Sequence, residues 1–328
     1  MHPGRSDPSV RVHALRLAAR AASGTRLPLT TPQNAKESRV DFEGHVIRPP
    51  NEADSILLEV TVGCSHNACT FCGAYQLDRF GEKSDRAITL ALAEAAEHCR
   101  GQPRVFLCNG DALALPQSRL VWILASIRER LPWVTSVSSY ASAHNVEQKS
   151  DEQLAELRAL GLRMVHLGLE SGDDATLREV RKRGSAAFIV EQARRVRAAS
   201  IQVFVTVLLG LAGKERSLIH AEATGRALSR MDPPFVGALT LMLVPGTVLF
   251  QRWRGGSFEM PGPRGLLEEL RVLVEHTTLT RGMFYANHAS NYLPIRARFP
   301  RDKARTLAEI DAALAGELPL RPEWMRAL

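Results

Sequence analysis

Three of the chain's five cysteines, Cys64, Cys69 and Cys72, fall within one nine-residue stretch, Cys64-Ser65-His66-Asn67-Ala68-Cys69-Thr70-Phe71-Cys72. Thiolates prefer soft metals, so closely spaced thiols on one loop point to zinc or an iron–sulfur cluster rather than magnesium or calcium. A structural zinc site is normally closed by four protein ligands. His66 could be the fourth, but it sits between two of the cysteines, where reaching the same ion would strain the loop. An iron–sulfur cube held by three cysteines leaves one iron without a protein ligand. That open corner has a use only if a further molecule binds there. Cys99 falls within an expected helix and Cys108 at the end of an expected strand, where a free cysteine packs as a small hydrophobe.

The elements that must position this loop follow from the hydrophobic pattern. An apolar run, Ser55–Val62, leads straight into it. Beyond it, short β-branched runs alternate with longer amphipathic segments. The pattern predicts strands over Ile56–Val62, Arg104–Cys108, Thr135–Ser139, Met164–Leu169, Val203–Leu208 and Gly237–Val244. It predicts helices over Asp85–Cys99, Gln117–Arg130, Asp151–Leu160, an interrupted stretch Asp174–Ala199, Arg216–Arg230 and a segment near Gly265–Thr280. Strict alternation means a parallel α/β sheet with right-handed crossovers, either doubly wound or a barrel. In both, ligands gather at the carboxyl ends of the strands. There the sequence places Gly63-Cys64, Asn109-Gly110-Asp111, Tyr140–Asn145, Glu170-Ser171-Gly172, Gly210–Gly213 and Pro245-Gly246-Thr247. Neither a glycine-rich dinucleotide fingerprint nor a phosphate-loop lysine opens the first helix.

Composition narrows the class. Hydrophobic content of 45% with 23% charged residues suits a globular protein. No uninterrupted run of about 18 apolar residues indicates a membrane span. An odd cysteine count argues against a disulfide framework and for a reducing, cytoplasmic setting. The net charge is +7, and residues 1–39 alone carry +5 of it, so the remainder is close to neutral. The expected organisation is a flexible basic extension over residues 1–40, a core barrel over 41–250 and a C-terminal helical extension over 251–328.

With Phe71 just before the last cysteine, the loop resembles that of the radical S-adenosylmethionine (radical SAM) enzymes. The spacing of four residues and then two departs from the family's commonest three and two. The resemblance implies a partial (β/α)6 TIM-type barrel with a 4Fe-4S cluster on Cys64, Cys69 and Cys72. Its free iron would chelate the amino and carboxylate groups of S-adenosyl-L-methionine. An electron from the cluster then cleaves the sulfonium to a 5′-deoxyadenosyl radical that abstracts a substrate hydrogen. It implies that Asn109, Gly110 and Asp111 meet the methionine amino group, and that Glu170 and Ser171 meet the ribose and methionine. It also implies that Arg183, before Gly184, clamps the carboxylate, and that Gly210 and Val244 border the adenine.

Within the family the chain is most similar to the branch of oxygen-independent coproporphyrinogen oxidases and methylthiotransferases. The run Asn287–Tyr292 is similar to one found in a further subgroup, and makes His288, Asn291 and Tyr292 candidate catalytic donors on the substrate side. The expected partners are a small-molecule substrate and a flavodoxin- or ferredoxin-type electron donor. Two alternatives stand beside this: an enzyme modifying RNA, through the basic extension, or peptide; and a non-catalytic metal-binding or redox-sensing protein.

Overall fold

The structure, a computed structural model, describes residues 42–43 and 46–327. The expected basic extension over residues 1–40 lies outside the described residues. An eight-stranded sheet forms the frame, in the order β1 (Ile56–Glu59), β4 (Arg104–Cys108), β5 (Ser136–Ala141), β6 (Leu162–Glu170), β7 (Gln202–Leu209), β8 (Phe235–Thr240), β9 (Gly282–Tyr285), β10 (Arg296–Phe299). All neighbours run parallel from β1 to β9, and β10 returns antiparallel. β1 and β10 are the two edges, so the sheet is an open strip with the strand sequence of a partial barrel.

Successive side chains on a strand face opposite ways. On β6, Val165, Leu167 and Leu169 are fully buried in the main core. That core is shared with helices α1 (Asp85–His98), α2 (Gln117–Arg130), α4 (Asp151–Ala159), α6 (Ala186–Ala198), α7 (Gly213–Met231) and α9 (Pro263–His276). The alternate residues of β6, Met164, His166, Gly168 and Glu170, take the other face. There His166 lies 5.2 Å from Phe204 and 5.8 Å from Tyr140, ring centre to ring centre. Serines start three of the helices: Ser84, Ser150 and Ser185 each accept a backbone N–H of the first turn.

Three differences from the sequence reading affect the site. The first strand breaks at Val60, and its last two residues, β2 (Thr61–Val62), pair instead with β3 (Gly81–Glu82), which returns from the cysteine loop. Strand β8 ends at Thr240, so Val244 lies in a loop rather than on a strand. The C-terminal region is not purely helical. Strands β9 and β10 continue the sheet, with Phe284 and Phe299 stacked 5.1 Å apart in the core. Each has four residues, too few for a period-two pattern to stand out. No described helix is long and apolar enough to cross a membrane.

Candidate functional site

The cysteine loop is folded by its backbone. Gly63 has φ +69°, and a Cβ there would come within 3.1 Å of Asp78 O, so the turn out of β2 needs glycine. Asn67, at φ 36°, donates from Nδ2 to Tyr75 O at 2.8 Å. Thr70 N donates to Val180 O, and Thr70 O accepts from Leu249 N, each at 2.9 Å. The loop is thereby tied to helices α5 (Asp174–Glu179) and α8 (Val248–Arg254). His66 Nε2 donates to Arg181 O at 2.7 Å, so this nitrogen is spent on the fold.

All three thiols are half-buried. Burial pushes Cys69 up to about 12, against an opposing pull from Lys182, and raises Cys72 as well. Thiols in such a setting ionise when a metal supplies the compensating charge. Among the described residues, no three His, Cys, Asp or Glu side chains are grouped to hold a single metal ion.

The turn after β4 presses on the loop. A Cβ on Gly110 would fall 2.5 Å from Gly63 O and 2.9 Å from both Cys64 Cβ and Tyr75 Cε2, which only glycine avoids. Asp111 is buried and both its oxygens are engaged, by Ser65 Oγ from the loop and by Asn145 Nδ2 from α3 (Ala143–Glu147). Burial raises its carboxyl pKa although both bonds oppose the rise. Asp111 therefore braces the loop, with one hydrogen bond to each of its oxygens. Asn109, at φ 69°, donates its Nδ2 to Glu59, while its Oδ1 is buried without a partner. That oxygen is the unused acceptor of the turn.

At the end of β6, Glu170 has φ +61° and pairs with Lys182 Nζ at 3.0 Å. Gly168 makes room: a Cβ there would meet Glu170 Oε1 at 1.9 Å and Lys182 Nζ at 2.9 Å. Two expectations are corrected here. Arg183 is exposed and makes no ion pair among the described residues; the basic side chain turned toward the loop is Lys182, whose charge acts on Cys69. Ser171 is fully buried and gives its hydroxyl to His220 Nδ1 at 2.7 Å. His220 Nε2 lies 3.3 Å from Glu269 Oε1 without forming a hydrogen bond to it, and that oxygen accepts Gly210 N at 2.6 Å. Ser171 and Gly210 thus belong to one buried clamp that fixes the ends of β6 and β7. Val244 packs on the cysteine loop itself, its Cγ1 filling the space above Gly73, where a Cβ would meet it at 2.5 Å.

The Asn287–Tyr292 run does different work from that expected. Asn291 is buried; its Oδ1 accepts from Thr240 Oγ1 at 2.8 Å, and its Nδ2 donates to Ala238 O at 2.9 Å and Ala286 O at 2.8 Å. Tyr292 donates its hydroxyl to Glu323 at 2.5 Å and lies under Arg326, whose guanidinium carbon is 4.0 Å from the ring centre. Arg321 binds the carbonyls of His288, Ala289 and Asn291. Asn291 and Tyr292 are therefore structural, fastening the chain terminus to β8 and β9. His288 Nδ1 accepts from Ser290 N at 3.1 Å, so the neutral ring carries its proton on Nε2. Burial, aided by Arg321, holds its pKa below the ordinary histidine value.

The structure brings together Cys64, Cys69, Cys72, Gly110, Asn109, Glu170 and Val244. Around them it adds Ser65, Thr70, Tyr75 and Lys182, which the sequence did not single out, and it draws in Asn145 from the run expected after the third strand. Thr70 Oγ1, Tyr75 Oη and Asn109 Oδ1 are all buried without hydrogen-bond partners. Buried polar groups are seldom left unpaired, and each costs about 1–3 kcal/mol. Two hydroxyl donors and one carbonyl acceptor beside three thiols suit a group that offers sulfur acceptors and an ammonium donor.

A model of the radical SAM superfamily matches residues 58–220. Solved structures similar to the chain include methylornithine synthase, 16% identical, covering 68% of this chain and 63% of that one with a TM-score of 0.48. The radical S-adenosylmethionine methyltransferase TsrM from Kitasatospora setae is 18% identical, over 63% of this chain and 41% of that one, at 0.49. Coproporphyrinogen III oxidase from Escherichia coli is 15% identical, over 68% and 53%, at 0.49. The chain spans less than two thirds of each. No curated protein matches it.

Proposed function

We propose, for a chain that belongs to the radical SAM superfamily and accordingly binds a 4Fe-4S cluster and S-adenosylmethionine, that Cys64, Cys69 and Cys72 are the three cluster ligands of an enzyme acting on a small molecule. When bound, the cluster and S-adenosylmethionine supply reductive cleavage of the sulfonium and a carbon radical able to take a substrate hydrogen. This chain's residues hold and orient those groups. Asn109 Oδ1 accepts from the methionine ammonium. Lys182, set by Glu170, faces the methionine carboxylate, the role the sequence gave to Arg183. Val244 and Gly73 close the side of the loop, and the Asp111–Ser65 bond keeps Cys64 in place despite the extra residue before Cys69. Of the three candidate donors His288, Asn291 and Tyr292, it is His288, with its proton on Nε2, that keeps a donor for a substrate. An electron donor is required, and an oxygen-labile site suits the cytoplasm.

The observation that carries this reading is the cluster of unpaired buried groups, Thr70, Tyr75 and Asn109, around three thiols. Anaerobic reconstitution should give about four irons per chain, and a strong reductant should release 5′-deoxyadenosine from S-adenosylmethionine. Colourless protein that retains zinc, or iron-loaded protein that never cleaves S-adenosylmethionine, would overturn it.

A further inference from the structure

Tyr75 stands three residues beyond the last cysteine of the loop, and its side chain turns back under it. Only 7% of the residue is exposed. Its Cε2 presses on the same point above Gly110 as Cys64 Cβ. Its hydroxyl is buried and has no partner, although a buried tyrosine normally finds one. A tyrosine hydroxyl is a donor at neutral pH, and this ring lies beside Cys64, in a loop whose thiols become acceptors once they bind iron. Hydrogen bonds to cluster sulfurs are one of the levers that set the potential of an iron–sulfur centre.

We propose that the Tyr75 hydroxyl donates a hydrogen bond to a sulfur of the bound cluster and thereby raises its reduction potential. This rests on the assignment of Cys64, Cys69 and Cys72 as ligands. Reduction adds negative charge to the sulfurs, so a donor aimed at them stabilises the reduced state more than the oxidised one. The bond also gives the hydroxyl the partner that the protein itself does not provide. Tyr75 is a tuning residue, and its effect is on the cluster's electron affinity.

The test is Tyr75→Phe, which removes one oxygen and leaves the ring. The full-length variant is reconstituted anaerobically beside the wild type, without S-adenosylmethionine, and the cluster is titrated electrochemically with EPR detection. The expected result is equal iron content and a lower midpoint potential, by about tenfold in the one-electron equilibrium, or about 59 mV. The apoprotein should be no less stable than the wild type, because an unpaired buried hydroxyl has been removed. An unchanged potential with an intact cluster overturns the proposal. So does a change seen only when S-adenosylmethionine is present, which would place the hydroxyl on that molecule. Should Tyr75→Phe hold no cluster, 3,5-difluorotyrosine at position 75 decides the matter: the more acidic phenol must raise the potential, and an unchanged value contradicts the idea. Wild-type protein that holds no iron would instead defeat the ligand assignment, a separate failure.

Discussion

Two segments of this chain carry unusual polar sequence, the cysteine loop at Cys64–Cys72 and the Asn287–Tyr292 run, and their hydrogen bonding could hardly differ more. In the second, Asn291 spends both ends of its amide on Thr240, Ala238 and Ala286, and Tyr292 meets Glu323 and Arg326. Around the first, Thr70, Tyr75 and Asn109 keep buried atoms unpaired while the backbone is firmly tied. A segment whose polar groups are satisfied internally is doing structural work. One that is held rigidly yet left unsatisfied is built for something that arrives later. Both segments carry motif residues; their donors and acceptors are what differ.

The contrast breaks most visibly at the thiols. Cys64→Ala, Cys69→Ala or Cys72→Ala should each abolish iron retention and 5′-deoxyadenosine release, read by iron and sulfide assay, with little change in apoprotein unfolding. Asn291→Ala should do the reverse. Leaving a hydroxyl and two carbonyls buried without it should cost about 3 kcal/mol in urea unfolding, while iron per folded chain stays at the wild-type level. A variant that unfolds normally but loses cleavage would return Asn291 to the active site.

Lys182→Met lies between these extremes. Its side chain is 18% exposed and that of Glu170 only 11%, so breaking the pair should cost about 2 kcal/mol. Binding of S-adenosylmethionine, measured by equilibrium dialysis, should weaken with the iron content intact. Arg183→Met, the control on the neighbouring exposed residue, should change neither.

The smallest effect is in the terminal clasp. The Tyr292 hydroxyl, with Arg326 assisting and burial opposing, holds the Glu323 carboxyl below the usual glutamate range. An unfolded glutamate titrates near about 4.3. Because the folded value is lower, the clasp contributes fully above that pH and is lost as pH falls through the folded value. Limited proteolysis of residues 318–327 should therefore be flat down to about pH 4 and rise only below it. Release already at pH 6 would mean Glu323 is not the fastening group.

Much of the frame could be read from residues alone, because β-branched runs such as Val203–Leu208 and serine-capped helices such as Asp151–Ala159 announce themselves locally. The three cysteines and Phe71 were equally plain. What escaped depends on pairing across distance or on a single backbone angle. Lys182 and Arg183 are adjacent cations, and Arg181, at φ 55°, turns the chain so that Lys182 faces Glu170. Ser171 looked like a strand-end ligand until His220, 49 residues away, claimed its hydroxyl. The bracing bonds of Asp111 carry no local signal because Ser65 and Asn145 reach it from separate elements. Tyr75 carried no signal in a sequence where a loop tyrosine is ordinary.

The central claim is that three thiols hold a cluster whose remaining iron is open to S-adenosylmethionine. EPR of the reconstituted, reduced protein before and after adding S-adenosylmethionine tests it most directly. A reduced-cluster signal that shifts on addition, in wild type and in Asn291→Ala alike, is the expected result. A cluster signal that S-adenosylmethionine leaves unmoved, or no cluster signal at all, would contradict it.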